Sequence, residues 1–405
     1  MTFATGPFKF LTYKQEVTFG VLPVAAAAQA LRRLTSDLSL TKDTYASNEV
    51  RTDFQNADFR HGVRRVSGKI SGEISPGTYK DFFAAALKRD FAVGTPLTGT
   101  SVTIGAPTGN IYPFTNSTGS MLTNGFKVGM VVRLSVGGFN AANINKNILI
   151  TDIPSATTWS GIPVNNVALV PEGPILTSTI TMVGKSTYIP LTGHTDRSFS
   201  IEHWFSDIAQ SEAFSGVKID KISISLPPTG LATADFDLLG QNVTTAAAQY
   251  FTTPTSVSTS PPLAAVNGIV RAGGTTYASL TGLTTEIDPT FTGDPVVGSN
   301  VVSNLLAGKV MVTGQFTAYF ENAVLRDAFI NETEIDLVGV YTTDNTATAD
   351  FIAIAIPRLK LGSASKNDGN GGIIQTFQFT ALMNVNGGVG IKTEKSTIQI
   401  QDSLA

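Results

Sequence analysis

The chain has 405 residues, 42% of them hydrophobic and only 15% charged, with a formal net charge of −3 and no cysteine. Its length calls for two or three domains, and the missing cysteines exclude disulfides and thiolate metal sites. Lys and Arg are scattered without a basic block, which excludes a counterion-releasing grip on DNA; charge well below the roughly 25% of an average soluble domain suits a β-rich protein covered by neighbours in an assembly.

The opening "MTFATGPFKFLTYKQEVTFG" has neither the basic start nor the apolar core of a signal peptide, so synthesis and retention in a cytoplasm are expected. "VLPVAAAAQAL" (21–31) falls far short of the ~20 apolar residues of a membrane span, and "AAAAQALRRL" reads as a short helix whose basic end suits the negative end of its dipole. From Val66 to Ile74 the residues alternate, with Val66, Gly68, Ile70, Gly72 and Ile74 on one face and Ser67, Lys69, Ser71 and Glu73 on the other. That period predicts a strand with one buried face. Ser75 is placed as a helix N-cap with Pro76 in the first turn, and Tyr79, Phe82, Phe83, Ala86 and Leu87 follow as one apolar helical stripe.

Residues 97–186 carry short strand patterns broken by Gly-Gly and Asn-rich turns and read as a small all-β insertion. "RSFSIEHWF" (197–205) predicts a strand, and "VKIDKISISLPPTGLATADFDLLG" (217–240) two more around a Pro-Pro-Thr-Gly turn. The Thr, Ser and Pro-rich stretch 251–271 reads as a linker, and residues from about 272 to 304 as loops or an arm. Strand, cap and helix then return. Val312, Gly314, Phe316, Ala318 and Phe320 alternate with Thr313, Gln315, Thr317 and Tyr319; Asn322 takes the place of Ser75; Leu325, Ala328 and Phe329 form the stripe. Laid over each other without a gap, Gly62, Val66, Gly68, Asp81 and Phe83 fall on Gly308, Val312, Gly314, Asp327 and Phe329. "TEIDLVGVY" and residues 350–382 repeat the later strands around a Gly-rich break.

The fold expected is mainly β with a few short helices, in the α+β sense. Two tandem β-sandwich or barrel domains, residues 1–96 with 187–250 and residues 272–405, each carry one packed helix, the second duplicated from the first. An all-β insertion, 97–186, and a linker, 251–271, complete the chain. Tyr79, Phe82, Phe83, Leu87, Leu325 and Phe329 are the helix-packing residues.

Catalytic readings find little. "GKST" (184–187) follows an apolar strand, but the phosphate-loop pattern needs a glycine where Thr179 stands. Ser363 and Lys366 have S-x-x-K spacing inside "GSASKNDGNGG", read as a solvated turn, with no K-T-G partner. His61, His194 and His203 form no zinc pair, and His203, alternating with Phe199, Ile201 and Phe205, reads as a core or interface residue. The Asp pairs of "DNTATAD" and "DPTFTGD" read as turn formers and match no calcium loop. Trp159 and Trp204 are the only tryptophans, a poor supply for a polysaccharide groove. No catalytic residue, cofactor or metal is expected.

"YKQEVTFGVLP" (13–23), "SNEVRTDFQNADFRHGVRRVSGKISGEISPGTYKDFFAAAL" (47–87) and "IDKISISLPPTGLATADFDLLG" (219–240) together resemble the major tail tube proteins of long-tailed, non-contractile bacteriophages. The pattern is S-x-E-[IV]-R, then Gly, then a strand ending near S-P-G-x-Y. It covers most of the first half and, more loosely, the second, which has no clean copy of S-N-E-V-R. The resemblance implies a structural virion protein and not an enzyme, assembled in the host bacterial cytoplasm into stacked six-fold rings around a lumen. Implied partners are further copies of the chain, a tape-measure protein, tail terminator and baseplate or distal tail proteins, and DNA in transit without sequence recognition or a membrane. The helix is expected outside an inner sheet, and loops to bridge successive rings.

Duplication adds a stoichiometry: three chains supply six ring positions, or six chains if the second half is an outward decoration. Ser67, Lys69, Ser71, Glu73, Thr313, Gln315 and Thr317 are the lumen-facing candidates, and the insertion is expected to project from the tube wall. The alternative is a β-rich phage decoration or adhesin protein that binds the host surface.

Overall fold

The computed structural model describes residues 3–276, 280–367 and 371–405. The first half runs through β1 (Lys9–Gln15), β2 (Ala26–Ala30), a short β3 (Thr35–Ser36), β4 (Ser39–Ala46), β5 (Phe59–Glu73) and helix α1 (Lys80–Ala86). Six strands follow: β6 (Leu97–Ile104), β7 (Tyr112–Asn116), β8 (Val131–Ser135), β9 (Ile148–Asp152), β10 (Thr158–Pro163) and β11 (Glu172–Met182). The first half resumes with β12 (Lys185–Tyr188), β13 (Phe199–Phe205), β14 (Gln210–Leu226), β15 (Thr233–Gly240), β16 (Asn242–Ala246) and β17 (Thr253–Thr255). The second half has β18 (Gly268–Ala272), β19 (Thr275–Thr276), β20 (Leu280–Asp288), the small pair β21 (Phe291–Thr292) and β22 (Leu306–Ala307), and β23 (Met311–Tyr319). It ends with helix α2 (Val324–Ile330), β24 (Ile335–Thr342), β25 (Phe351–Lys366), β26 (Ile374–Ala381) and β27 (Gln399–Asp402).

The two halves repeat one pairing scheme. An outer sheet joins β1, β13, β14 and β16 in the first half and β18, β24, β25 and β27 in the second. An inner sheet joins β4, β5, β15 and β14, and correspondingly β20, β23, β26 and β25. The long strands β14 and β25 serve both sheets. Each changes sheet a few residues before a one-residue register break, Asp220 in β14 and Gly362 in β25, and such a bulge bends a strand and increases its twist.

Alternation decides which face each inner strand buries. Val66, Ile70, Val312 and Phe316 point into the main core while their polar neighbours face the other way. Helix α1 wedges between the two sheets of the first half: the Phe82 ring lies 5.2 Å from Phe236 on the inner sheet and 5.4 Å from Phe199 on the outer. Tyr79, Phe82, Phe83 and Leu87 are fully enclosed, and Tyr79 donates its hydroxyl to the Arg32 carbonyl at 2.8 Å. In α2, Leu325 is buried and Phe329 half-buried, and Asn322 accepts the Val324 amide at 3.0 Å.

Several local expectations are corrected. "AAAAQALRRL" contains no helix: Gln29 and Ala30 pair with Tyr13 and Thr12, and β17 runs parallel along the other edge of β2. Alanine's helix preference is worth under ~1 kcal/mol per residue, less than the ladder bonds and the burial of Ala28 and Leu31. Ser75 does not cap α1. Gly77 takes a left-handed φ of +77°, its amide bonds to Asp402, and Ser75 and Thr78 close a turn, so the helix begins at Lys80. In the linker stretch 251–271, Leu263 is buried and exchanges backbone bonds with Ile74 and Ala232. Residues 272–304 include the ladder strand β20, and Ser363 and Lys366 lie on β25 rather than in a turn. Residues 368–370 of that Gly-rich break lie outside the described residues.

Strands β6–β11 close on themselves as a six-stranded barrel around their own core, where the Phe114 and Trp159 rings stack at 3.9 Å. The barrel seats on the second half's outer sheet through Val131, Leu149, Ile162 and Val164 against Val338, Val340, Phe351 and Ala353. Polar bonds seal the seam: the Gln401 side chain accepts from the Val131 amide and donates to its carbonyl, both at 2.8 Å, and the Lys392 ammonium meets Asp152 at 2.8 Å.

Candidate assembly site

The inner sheets of the two halves are one surface. β14 of the first half pairs with β20 of the second, Ile222 opposite Ile287 and Ser223 opposite Glu286. The run β4–β5–β15–β14–β20–β23–β26–β25 is therefore an uninterrupted antiparallel sheet of eight strands. Among the described residues, β4 and the Lys360–Lys366 part of β25 each have one edge with no ladder partner. Unpaired edges of this kind are templates for another chain.

All seven lumen candidates lie on the sheet face opposite the core. Ser67, Lys69, Ser71 and Glu73 pair across to Leu239, Asp237, Asp235 and Thr233. Thr313, Gln315 and Thr317 sit between Glu286, Thr284 and Gly282 on one side and Thr380, Gln378 and Thr376 on the other. On this face Lys69, Lys221, Arg65 and Lys360 stand among Glu73, Asp235, Asp237 and Glu286, while β23 and β26 carry mainly hydroxyls and amides. Lys69 Nζ lies 3.4 Å from Asp235 and 3.6 Å from Asp237, and those charges, Asp237 foremost, hold its pKa above the ordinary lysine value. Lys221 meets Glu286 at 3.0 Å across the junction of the halves.

The junction has a second component, an arm within the stretch expected as loops or an arm, whose seat on the first half the sequence did not indicate. Between β20 and β23, residues 289–310 fold back over the first half. The Arg64 amide donates to the Asn300 carbonyl at 2.8 Å, and Val302 and Leu305 bury with Val63, Phe19, Leu239 and Phe291. Lys218, buried, donates to the Leu305 carbonyl at 2.8 Å and to Asp196 at 2.6 Å, while Asp220 at the bulge accepts the Phe291 amide at 3.2 Å. Burial raises the Asp220 pKa, which that amide bond partly offsets. Phe291, Val302 and Leu305 were the available signal, scattered through Gly, Thr and Asp without a period.

The remaining chemistry-bearing residues do not converge. His203 is buried on β13 with Ser36 Oγ 2.7 Å from Nε2, and His61 is exposed. Asp344 and Asp288 accept the amides of Thr346 and Thr290 in local turns. Among the described residues no group of three His, Asp or Glu side chains could hold a metal ion, and no helix is long and apolar enough to cross a membrane.

A search of curated proteins finds no match. The family model described as "Phage tail tube protein" matches residues 9–381, a span that takes in both inner sheets, both helices and the inserted barrel. The chain belongs to the phage tail tube protein family.

Proposed function

We propose that this chain is the major subunit of a phage tail tube, polymerising into stacked rings whose hollow centre conducts the genome into the host. The observation that carries the reading is the eight-stranded sheet: two equivalent four-stranded units lie side by side, open at both ends, with an apolar face on the core and an opposite face that is polar apart from the Val63 and Leu239 seat under the arm. Eight strands closed alone leave room only for side chains, so a conduit needs further copies. A head-to-tail joint between the two different edges generates a ring where the rotation between copies closes.

Three chains supply six equivalent units. Twenty-four strands at ~4.8 Å spacing and ~40° tilt give a barrel roughly 50 Å across between backbones, wide enough to pass a DNA duplex. The lining would include Ser67, Lys69, Ser71, Glu73, Thr313, Gln315 and Thr317, a mixed polar surface without the basic block that would hold phosphates. Residues 1–96 with 187–250 and residues 272–405 form the two tube units, while 97–186 sits outside the inner sheet and projects from the wall. Tape-measure, terminator and distal tail proteins are the partners this role requires, with DNA present only in transit.

Negative-stain microscopy of the purified full chain tests the role. Long hollow tubes are expected. Discrete particles that adhere to host cells would instead favour the decoration or adhesin reading.

A further inference from the structure

We infer that the junction between the two halves is the template for the joint between chains, and that it fixes both the register of that joint and the seat of an arm. The inference rests on the reading above that chains assemble into rings, and the partner is a second copy of this chain.

The equivalences come from register. Ile70 and Phe316 pair with Phe236 and Phe377, which pair in turn with Ile222 and Ala364, so Ser223 corresponds to Ser365. Val66 and Val312 pair with Leu40 and Ile287, so Glu286 corresponds to Ser39. Within the chain Ser223 faces Glu286. Between chains Ser365 therefore faces Ser39 of the next copy, and Ala364 faces its Leu40.

The arm follows the same rule. Asp288 pairs with Met311 and Thr41 with Arg65, at equivalent positions. Residues 289–310 lie between the first pair and 42–64 between the second, segments matching in length to within one residue. The second-half segment buries Val302 and Leu305 on the first half. Its first-half counterpart stands out as a hairpin with Val50 and Phe54 essentially fully exposed. The second half, in turn, has an open hollow of about 440 Å³ lined by Phe329, Ile330, Glu332, Lys360 and Leu361. Lys360 and Leu361 are the counterparts of Lys218 and Ile219, and Lys218 is the position in the first half that the second-half arm covers. The hairpin 42–64 of the next copy in the same ring fills this hollow.

A chain without cysteine makes the test direct. The full-length variant Ser39→Cys/Ser365→Cys, assembled into tubes and oxidised, is expected to give covalent species of two chains and then a closed ring, with no such species from Ser39→Cys/Ser363→Cys. Phe54→Cys/Ile330→Cys is expected to link chains of the same ring. Tubes in which only the offset pair links, or in which Phe54 links solely to chains of the next ring, overturn the inference while leaving the tube reading intact. A wild-type chain that forms no tubes overturns both.

Discussion

Lys218 and Lys360 occupy the same register position in the two halves, each just before the bulge of its long strand, yet one side chain is 1% exposed and the other 42%. The difference is not in the fold around them, which repeats strand for strand. It lies in what covers them: Lys218 sits beneath the arm of the second half, while Lys360 pairs with the exposed Glu332 at 3.5 Å. The first half is a completed unit because a neighbour within the chain completes it. The second presents the same seat empty, and that asymmetry is what an assembling subunit requires.

The largest test of the comparison is core truncation. Phe236 and Phe377 are counterparts, but Phe236 meets the rings of Tyr79, Phe82 and Phe83 and Phe377 that of Phe316. Phe236→Ala is expected to cost about 3–5 kcal/mol and Phe377→Ala less; thermal unfolding of the free chain ranks them, and the reverse order would break the comparison.

Acid should also separate the halves. Burial, with Lys9 and Arg33, pushes the His203 pKa down to about 3, whereas its counterpart by register is Gly339, which cannot titrate. A folded pKa below the unfolded one gives stability that is complete above pH ~6.5 and is lost as pH falls toward 3, by at most ~1.4 kcal/mol per unit. Melting curves of the wild type and His203→Gln between pH 7 and 4 should diverge in slope; parallel slopes would show that His203 is not the group responsible.

Lys218→Met is expected to cost the free chain about 1–3 kcal/mol by removing charged bonds under the arm. Lys360→Met should change it by less than ~0.5 kcal/mol and act only in the assembly, so equal losses in the free chain would erase the distinction. Lys69→Ala is also a small effect: its pairs are more than a third exposed, and under ~1 kcal/mol is expected from denaturant unfolding.

The inner strands β5 and β23 were legible because one face of each is buried and the other is not, which writes a period of two into the sequence. The helix stripes were legible for the corresponding reason. Strand β2 was not, because its extended form depends on β1 and β17, distant partners that alanine composition does not reveal. In β20, Leu283, Thr285 and Ile287 alternate, but the surrounding Gly and Thr masked the pattern. The polar face could be named residue by residue from β5 and β23, whereas the continuity of the sheet through Ile222 and Ile287 is a tertiary pairing. The arm 289–310 has no period at all, since it follows the surface it covers.

Rotational symmetry of the assembled tube, read from averaged images of its rings, bears most directly on the claim that one chain supplies two ring positions. Three-fold symmetry of whole chains, with six similar inner units per ring and three projecting barrels, is the expected result. Strict six-fold symmetry with one whole chain at each position would contradict it.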